Sequence, residues 1–272
     1  MKLVLSALAL LGCLQAQAAP FQKVLIVILE NESEEAAIRQ PYMKKLAAEG
    51  ATLDLRAETH PSYPNYVALT SGSTWGIHND WQKTIDATHL GDLLEAKGRS
   101  WKVYAEGYPG NCFLGSARGK YARRHVPFLS YKNVQEKPDR CARIVNAAQL
   151  DEDVRNGALP DYALYIPDNN DNGHDTGVKF ADRWLAKRFT PLLADHRFTD
   201  GLLFVVTFDE DDGGHDNQIY SLFWGAGVRA GARSTARYTH YDLLRTVEDV
   251  FELGTLGRND SKARAVSDVW TK

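Results

Sequence analysis

Two stretches of the chain are apolar almost without interruption, Lys23-Val-Leu-Ile-Val-Ile-Leu29 and Leu202-Leu-Phe-Val-Val-Thr-Phe208. A run that does not alternate suits a strand covered on both faces, as in a parallel sheet flanked by helices. Both runs end in acid, Glu30-Asn31-Glu32-Ser33 and Asp209-Glu210-Asp211-Asp212. Between and after them, strand-like and helix-like patterns alternate. A helix with Pro41 in its first turn stops at Gly50, and a strand follows over Ala51–Thr59. Thr88–Lys97 reads as a helix with Leu90, Leu93 and Leu94 on one face, and Trp101–Ala105 as a strand. Ala163–Ile166 is a short strand, Val178–Leu193 an amphipathic helix carrying Phe180, Trp184, Leu192 and Leu193, and Ile219–Trp224 a strand. Thr239–Phe251 closes the chain as a helix. This alternation predicts an α/β fold with a mostly parallel central sheet and helices on its faces.

The most informative turn is His60-Pro-Ser62-Tyr-Pro-Asn65-Tyr-Val-Ala-Leu-Thr-Ser-Gly72. Prolines at 61 and 64 suit a strand-to-helix corner, with the helix running from Asn65 to Thr70 and stopping at Gly72. Ser62 then lies at or just before a helix N-terminus, where free N–H groups and the dipole favour an anion. A serine at such a place is either a helix cap or a nucleophile, and spacing alone leaves both readings open.

The acidic strand ends carry the second chemical signal. Parallel strands bring Glu30 and Asp209-Glu210 to one sheet edge, where ligands of open α/β sheets gather. Three converging carboxylates repel unless a cation sits among them, and oxygen ligands suit Mg²⁺, Ca²⁺, Mn²⁺ or Zn²⁺. The loop Asp168-x-Asn170-x-Asn172-Gly173 begins like a calcium-binding EF-hand loop, but its twelfth position is Lys179 rather than Glu. His174, among Asp and Asn, fits a metal or phosphate site or a solvated loop. His125, in Arg123-Arg-His-Val-Pro127-Phe, is a further candidate for substrate contact.

Residues 107–160 are irregular, rich in Gly, Pro and basic side chains, and hold Cys112 and Cys141. They read as an insertion or lid within one domain spanning residues 19–272. Residues 1–18 have the form of a secretory signal peptide: Lys2, an apolar run from Leu3 to Leu14, and Ala16-Gln-Ala18 before the cut. A competing reading makes Leu-Leu-Gly-Cys13 a lipoprotein signal. Either way the chain is expected to be exported, to the periplasm or the medium, where the two remaining cysteines pair. A closed loop of about 30 residues contributes roughly 3–4 kcal/mol in the chain-entropy model. Loss of residues 1–18 takes the net charge only from −3 to −4, and no basic patch points to nucleic acid.

The chain resembles the phosphoesterase family of secreted acid phosphatases and phospholipases C, within the alkaline-phosphatase superfamily. The resemblance rests on Leu29-Glu30-Asn31-Glu-Ser33, on Thr59–Gly72, on Asp171-Asn-Gly-His174-Asp175, on Thr207-Phe-Asp209-Glu210, and on Tyr238-Thr-His240-Tyr-Asp. These pieces fall in family order across nearly all the mature chain. The resemblance implies a three-layer sandwich and Ser62 as the attacking group. It implies Glu30, Asn31, Asp209 and Glu210 as ligands of one divalent ion, because Asp-Glu stands here where two-zinc relatives carry Asp-His. Asp171, His174 and His240 sit where those relatives bind a second ion, and are expected here to meet the phosphate. His60 or His174 would protonate the leaving oxygen.

The expected function is therefore an exported, metal-dependent acid phosphatase that forms a phosphoserine on Ser62. The expected partner is a small phosphorylated substrate. A membrane enters only through a lipid on Cys13 or a phospholipid substrate. The alternatives are a phosphodiesterase or phospholipase C on the same site, and an exported metal- or ligand-binding protein without turnover.

Overall fold

The computed structural model describes residues 21–271, so the signal segment and Cys13 lie outside the described residues. The strands in chain order are β1 (Lys23–Leu29), β2 (Ala51–Arg56), β3 (Trp101–Ala105), β4 (Ala117–Arg118), β5 (Tyr121–Ala122), β6 (Ile144–Asn146), β7 (Tyr162–Ile166), β8 (Leu202–Phe208), β9 (Gln218–Ile219), β10 (Ser221–Trp224) and β11 (Ala232–Thr239). The helices are α1 (Glu34–Ile38), α2 (Pro41–Glu49), α3 (Ser62–Ser71), α4 (Leu90–Ala96), α5 (Lys132–Gln135), α6 (Pro138–Cys141), α7 (Gln149–Arg155), α8 (Val178–Leu193), α9 (His196–Thr199) and α10 (His240–Val250).

The central sheet runs β11-β2-β10-β8-β1-β7-β3-β6. Along this path only β10 is antiparallel to its neighbours, and β9 adds an antiparallel pair at the end of β2. The two apolar runs are the adjacent strands β1 and β8, paired in register from Lys23 opposite Leu202 to Leu29 opposite Phe208. All seven residues of β8 and six of seven in β1 are buried, as continuous apolar runs require. The helices form two groups, with α2 packing on α8 and α3 on α10, so the sheet is covered on both faces. The result is a mixed α/β sandwich with a mostly parallel sheet.

Several element bounds differ from the pattern reading. Helix α3 begins at Ser62, with Pro61 as its N-cap and Pro64 inside its first turn, where proline's missing N–H costs nothing. The Ile219–Trp224 run is two short antiparallel strands, and β2 stops at Arg56. In α8 the buried face carries Ala181, Leu185, Phe189 and Leu192, while Phe180 stays on the exposed side. Gly72 does end α3: its φ of 69° is left-handed, and a Cβ there would meet Asp260 Oδ1 at 2.3 Å. Within 107–160, Cys112 and Cys141 are bonded, with Cα atoms 5.4 Å apart.

Candidate active site

Because β1 and β8 are parallel neighbours, their carboxyl ends deliver Glu30, Asn31, Asp209 and Glu210 to one place. Asn31 adopts a left-handed turn (φ 54°), and its N–H donates to Asp209 Oδ1 at 3.3 Å, tying the two strand ends together. Ser62 arrives from the far side, on the first turn of α3. Asn65 holds the preceding corner shut: its Oδ1 accepts from the N–H groups of Glu58 and Thr59, and its Nδ2 donates to Thr59 O at 2.7 Å. Asp80 Oδ1 accepts the N–H of Tyr63 at 3.1 Å.

The Ser62 hydroxyl lies 3.2 Å from Glu30 Oε2, 3.2 Å from Glu210 Oε1 and 3.5 Å from Asn31 Oδ1. Its side chain caps nothing, since the cap position belongs to Pro61. The carboxylates around it are almost wholly buried. Burial pushes Glu30 well above the usual carboxylate range, with repulsion from Asp209 adding to it. Asp209 is raised by burial and then by Glu210, and Glu210 chiefly by burial. Two carboxylate oxygens here, Asp209 Oδ2 and Glu210 Oε2, are buried without a hydrogen-bond partner. Buried acids with orphaned oxygens, beside an amide oxygen and a hydroxyl, form the all-oxygen donor set that a divalent cation takes. The residues present therefore fit such an ion.

The histidines divide. His60 bridges two acids, with Nδ1 2.9 Å from Glu210 Oε2, though out of line for a hydrogen bond, and Nε2 3.3 Å from Asp211 Oδ1. His174 Nδ1 meets Asp175 Oδ1 at 2.8 Å and its Nε2 lies 3.5 Å from Arg124 Nη2. An arginine only donates, so the facing Nε2 carries the lone pair and Nδ1 the proton given to Asp175. His240 is buried, and its Nε2 meets the backbone oxygen of Asp209 at 2.8 Å. Burial pushes its pKa down to about 4. Its Nε2 contact is thus to the main chain under Asp209, while its Nδ1 is buried with no hydrogen-bond partner.

Asp171 has acidic neighbours of its own. It lies with Glu106 and Asp168, their ligand atoms within 4.8 Å of one another, beyond the ends of β3 and β7. These parallel strands deliver their own acids to a neighbouring stretch of the same edge. Asp168 meanwhile folds its loop, accepting the N–H groups of Asn170 and Asp171 on Oδ1. The calcium-loop spacing is spent on this turn.

Three residues of the site escaped the sequence reading or were left open. Arg124 carries positive charge to the acids: it offsets the upward shifts of Glu30 and Glu210, and its Nε lies 3.8 Å from Asp80 Oδ2. That Nε is buried with no hydrogen bond. His125, next to it, is buried against Glu30, with Nε2 3.2 Å from Oε1 but not aligned for a hydrogen bond. Tyr66 donates its hydroxyl to Glu30 Oε1 and stacks on His125 with ring centres 5.1 Å apart. Arg124 was hidden in an irregular basic segment. Tyr66 could have been found from its spacing, since it lies four residues after Ser62 on the same helix face.

Comparison with known proteins identifies the family and the fold. The Phosphoesterase family matches residues 34–254. A phosphatidylinositol-3-phosphatase of Mycobacterium tuberculosis is 35% identical over 264 residues, covering 94% of this chain and 86% of its own. A probable acid phosphatase of Kluyveromyces lactis is 33% identical over 267 residues, and an acid phosphatase of Aspergillus fumigatus 33% over 266. The match spans 63% and 60% of the length of those two proteins and 93% of this chain in each case. Among solved structures, an alkaline phosphatase superfamily protein from Vibrio parahaemolyticus matches with a TM-score of 0.61 at 15% identity, over 90% of this chain and 71% of that one. Murine ectonucleotide pyrophosphatase/phosphodiesterase 5 matches with a TM-score of 0.62 at 11% identity, over 92% of this chain and 100% of that one. At such identities the structural likeness shows the fold alone, and that fold is the alkaline-phosphatase type. The family match over most of the chain, together with relatives above 30% identity, establishes that the chain belongs to the Phosphoesterase family.

Proposed function

We propose that the protein is an exported, metal-dependent phosphatase that hydrolyses phosphate monoesters through a phosphoserine on Ser62. One observation carries the reading: the Ser62 hydroxyl, on the first turn of α3, lies within reach of Glu30, Asn31 and Glu210 at the ends of two buried parallel strands. Glu30, Asn31, Asp209 and Glu210 would hold one divalent ion, whose identity among Mg²⁺, Ca²⁺, Mn²⁺ and Zn²⁺ is left to elemental analysis. When bound, that ion supplies a lowered pKa for the serine hydroxyl and neutralises charge on a phosphoryl oxygen.

The chain's own groups do the rest. Ser62 Oγ loses its proton to solvent water and forms the bond to phosphorus as the bond to the leaving oxygen breaks. The positive dipole end of α3 and Arg124 hold the non-bridging oxygens. His60, held between Glu210 and Asp211 with its side chain 45% exposed, gives a proton to the leaving oxygen and recovers one from solvent. His174, with Nε2 turned to Arg124, positions that guanidinium. Water then attacks the phosphoserine, releasing phosphate and returning the proton to Ser62.

Export is supported by the bonded Cys112 and Cys141, which suit an oxidising compartment. No described helix is long and apolar enough to cross a membrane. The 107–160 segment is better described as a site wall than a lid, since it contributes Arg124 and His125. A second reading keeps the same chemistry on a lipid headgroup: Trp81, directly after Asp80, is 80% exposed. The M. tuberculosis relative's name points the same way.

The test is a panel on purified protein: p-nitrophenyl phosphate, its bis-ester, a phosphoinositide in vesicles and phosphatidylcholine, each with and without chelator. Monoester turnover abolished by chelator is expected. Faster turnover of the phosphoinositide than of soluble monoesters supports the lipid reading. Turnover of diesters alone contradicts the monoester assignment.

A further inference from the structure

Helix α3 grips both oxygens of a single carboxylate. Ser62 and Tyr66 are four residues apart, one turn along the same face, and both are buried. Ser62 reaches Glu30 Oε2 at 3.2 Å, while Tyr66 donates its hydroxyl to Oε1. The Tyr66 ring has little freedom to leave: it is 1% exposed and lies nearly flat on His125, with 19° between the planes. Glu30 itself is fixed from behind, its N–H donating to Asn172 O at 3.0 Å.

We propose that Tyr66 is a positioning residue that commits Glu30 to bind the ion through one oxygen, Oε2, and thereby biases the site toward a small divalent cation over calcium. This rests on the metal-dependent reading above. A carboxylate oxygen that already accepts a buried phenol hydroxyl is not free to wrap an ion. Calcium takes six to eight oxygens and commonly uses both oxygens of a carboxylate, whereas smaller ions are content with one. Outer partners of metal ligands are worth about 10–100-fold in affinity, and Tyr66 holds that place for Glu30. The same grip couples the nucleophile to the ligand: the helix that presents Ser62 also sets the orientation of the carboxylate Ser62 must share.

The experiment is metal binding by the full mature chain, stripped with chelator and titrated with Mn²⁺ and with Ca²⁺ against a chromophoric competitor. Tyr66→Phe removes the hydroxyl and keeps the ring. It is expected to raise the Kd for Mn²⁺ by about 10-fold or more and to narrow the preference for Mn²⁺ over Ca²⁺. A packing role would shift the thermal midpoint instead, leaving both Kd values alone. A Tyr66→Phe protein that binds both ions as wild type does, within twofold, overturns the inference. A wild type that binds neither ion overturns the metal reading beneath it. Should Tyr66→Phe fail to fold, a high-resolution structure of the Mn²⁺-loaded wild type decides. One Glu30 oxygen on the ion and the other on Tyr66 supports the proposal, and both oxygens on the ion refute it.

Discussion

Replacing Arg124 with methionine keeps most of the side chain's length and removes its charge and its donors. In the free protein this loses little. Among the described residues the guanidinium makes only long contacts, 3.8 Å to Asp80 and 3.5 Å to His174, and its buried Nε has no hydrogen bond. Its loss should cost the fold no more than about 1 kcal/mol, the usual range for a partly exposed pair. In the transition state the loss is larger. Removing one preorganised donor from a developing oxyanion costs about 2.7–4 kcal/mol, or 10²–10³-fold in kcat. Arg124→Met should therefore lower kcat/KM for p-nitrophenyl phosphate by about 10²-fold or more, and weaken inhibition by inorganic phosphate about 10-fold. Metal content and thermal midpoint should stay near wild type. Arg124→Lys keeps a point charge without the planar fork and should recover part of the loss. The assays are steady-state kinetics, phosphate inhibition and elemental analysis on the same preparations. If Arg124→Met is inhibited by phosphate within twofold of wild type, Arg124 does not hold the phosphoryl oxygens.

Two further outcomes follow from the buried acids. Asp209→Ala removes a buried carboxylate with an orphaned oxygen, proposed above as a metal ligand, and should abolish tight metal binding and activity together while the purified protein stays folded; retained stoichiometric metal would contradict the proposed ligand set. Away from the site, Glu248 is wholly buried with neither carboxyl oxygen hydrogen-bonded, and burial pushes its pKa to about 8. Glu58 is pushed to about 7 by the same cause. For both, the folded pKa lies above the unfolded one near 4.3, so the native state holds protons that the unfolded chain has released between those values. The contribution of these two groups should then be full below about pH 4 and be lost as pH rises through 7 to 8. Glu248→Gln should flatten that decline in thermal midpoint, and an unchanged pH profile would refute the assignment.

Much of this was legible in the sequence because burial leaves a strong imprint. β1 and β8 are apolar at nearly every position since both of their faces are covered, and the acids after them stand out for that reason. The Ser62 corner was legible through its prolines and Gly72, which answer to backbone geometry rather than to distant packing. Edge strand β11, Ala-Arg-Ser-Thr-Ala-Arg-Tyr-Thr, was not. It carries few apolar side chains, and its pairing with β2 is what makes it a strand. The site was less readable wherever it depends on which strands lie side by side. Asp171 looked like a partner of His174 along the chain, but the order β1-β7-β3 draws it to Glu106 and Asp168. Arg124 and His125 reach Glu30 from a segment with no periodic pattern, and only the packing of α3 against the end of β1 brings the Tyr66 hydroxyl to Glu30.

The central claim is covalent attack by Ser62, and rapid acid quenching during turnover of a ³²P-labelled monoester tests it most directly. The account predicts label on the peptide containing Ser62, lost in Ser62→Ala, whose kcat falls by roughly 10³-fold or more with metal content unchanged. A Ser62→Ala protein that keeps more than about a tenth of wild-type turnover, with no labelled peptide from either protein, would contradict it and assign the attack to water.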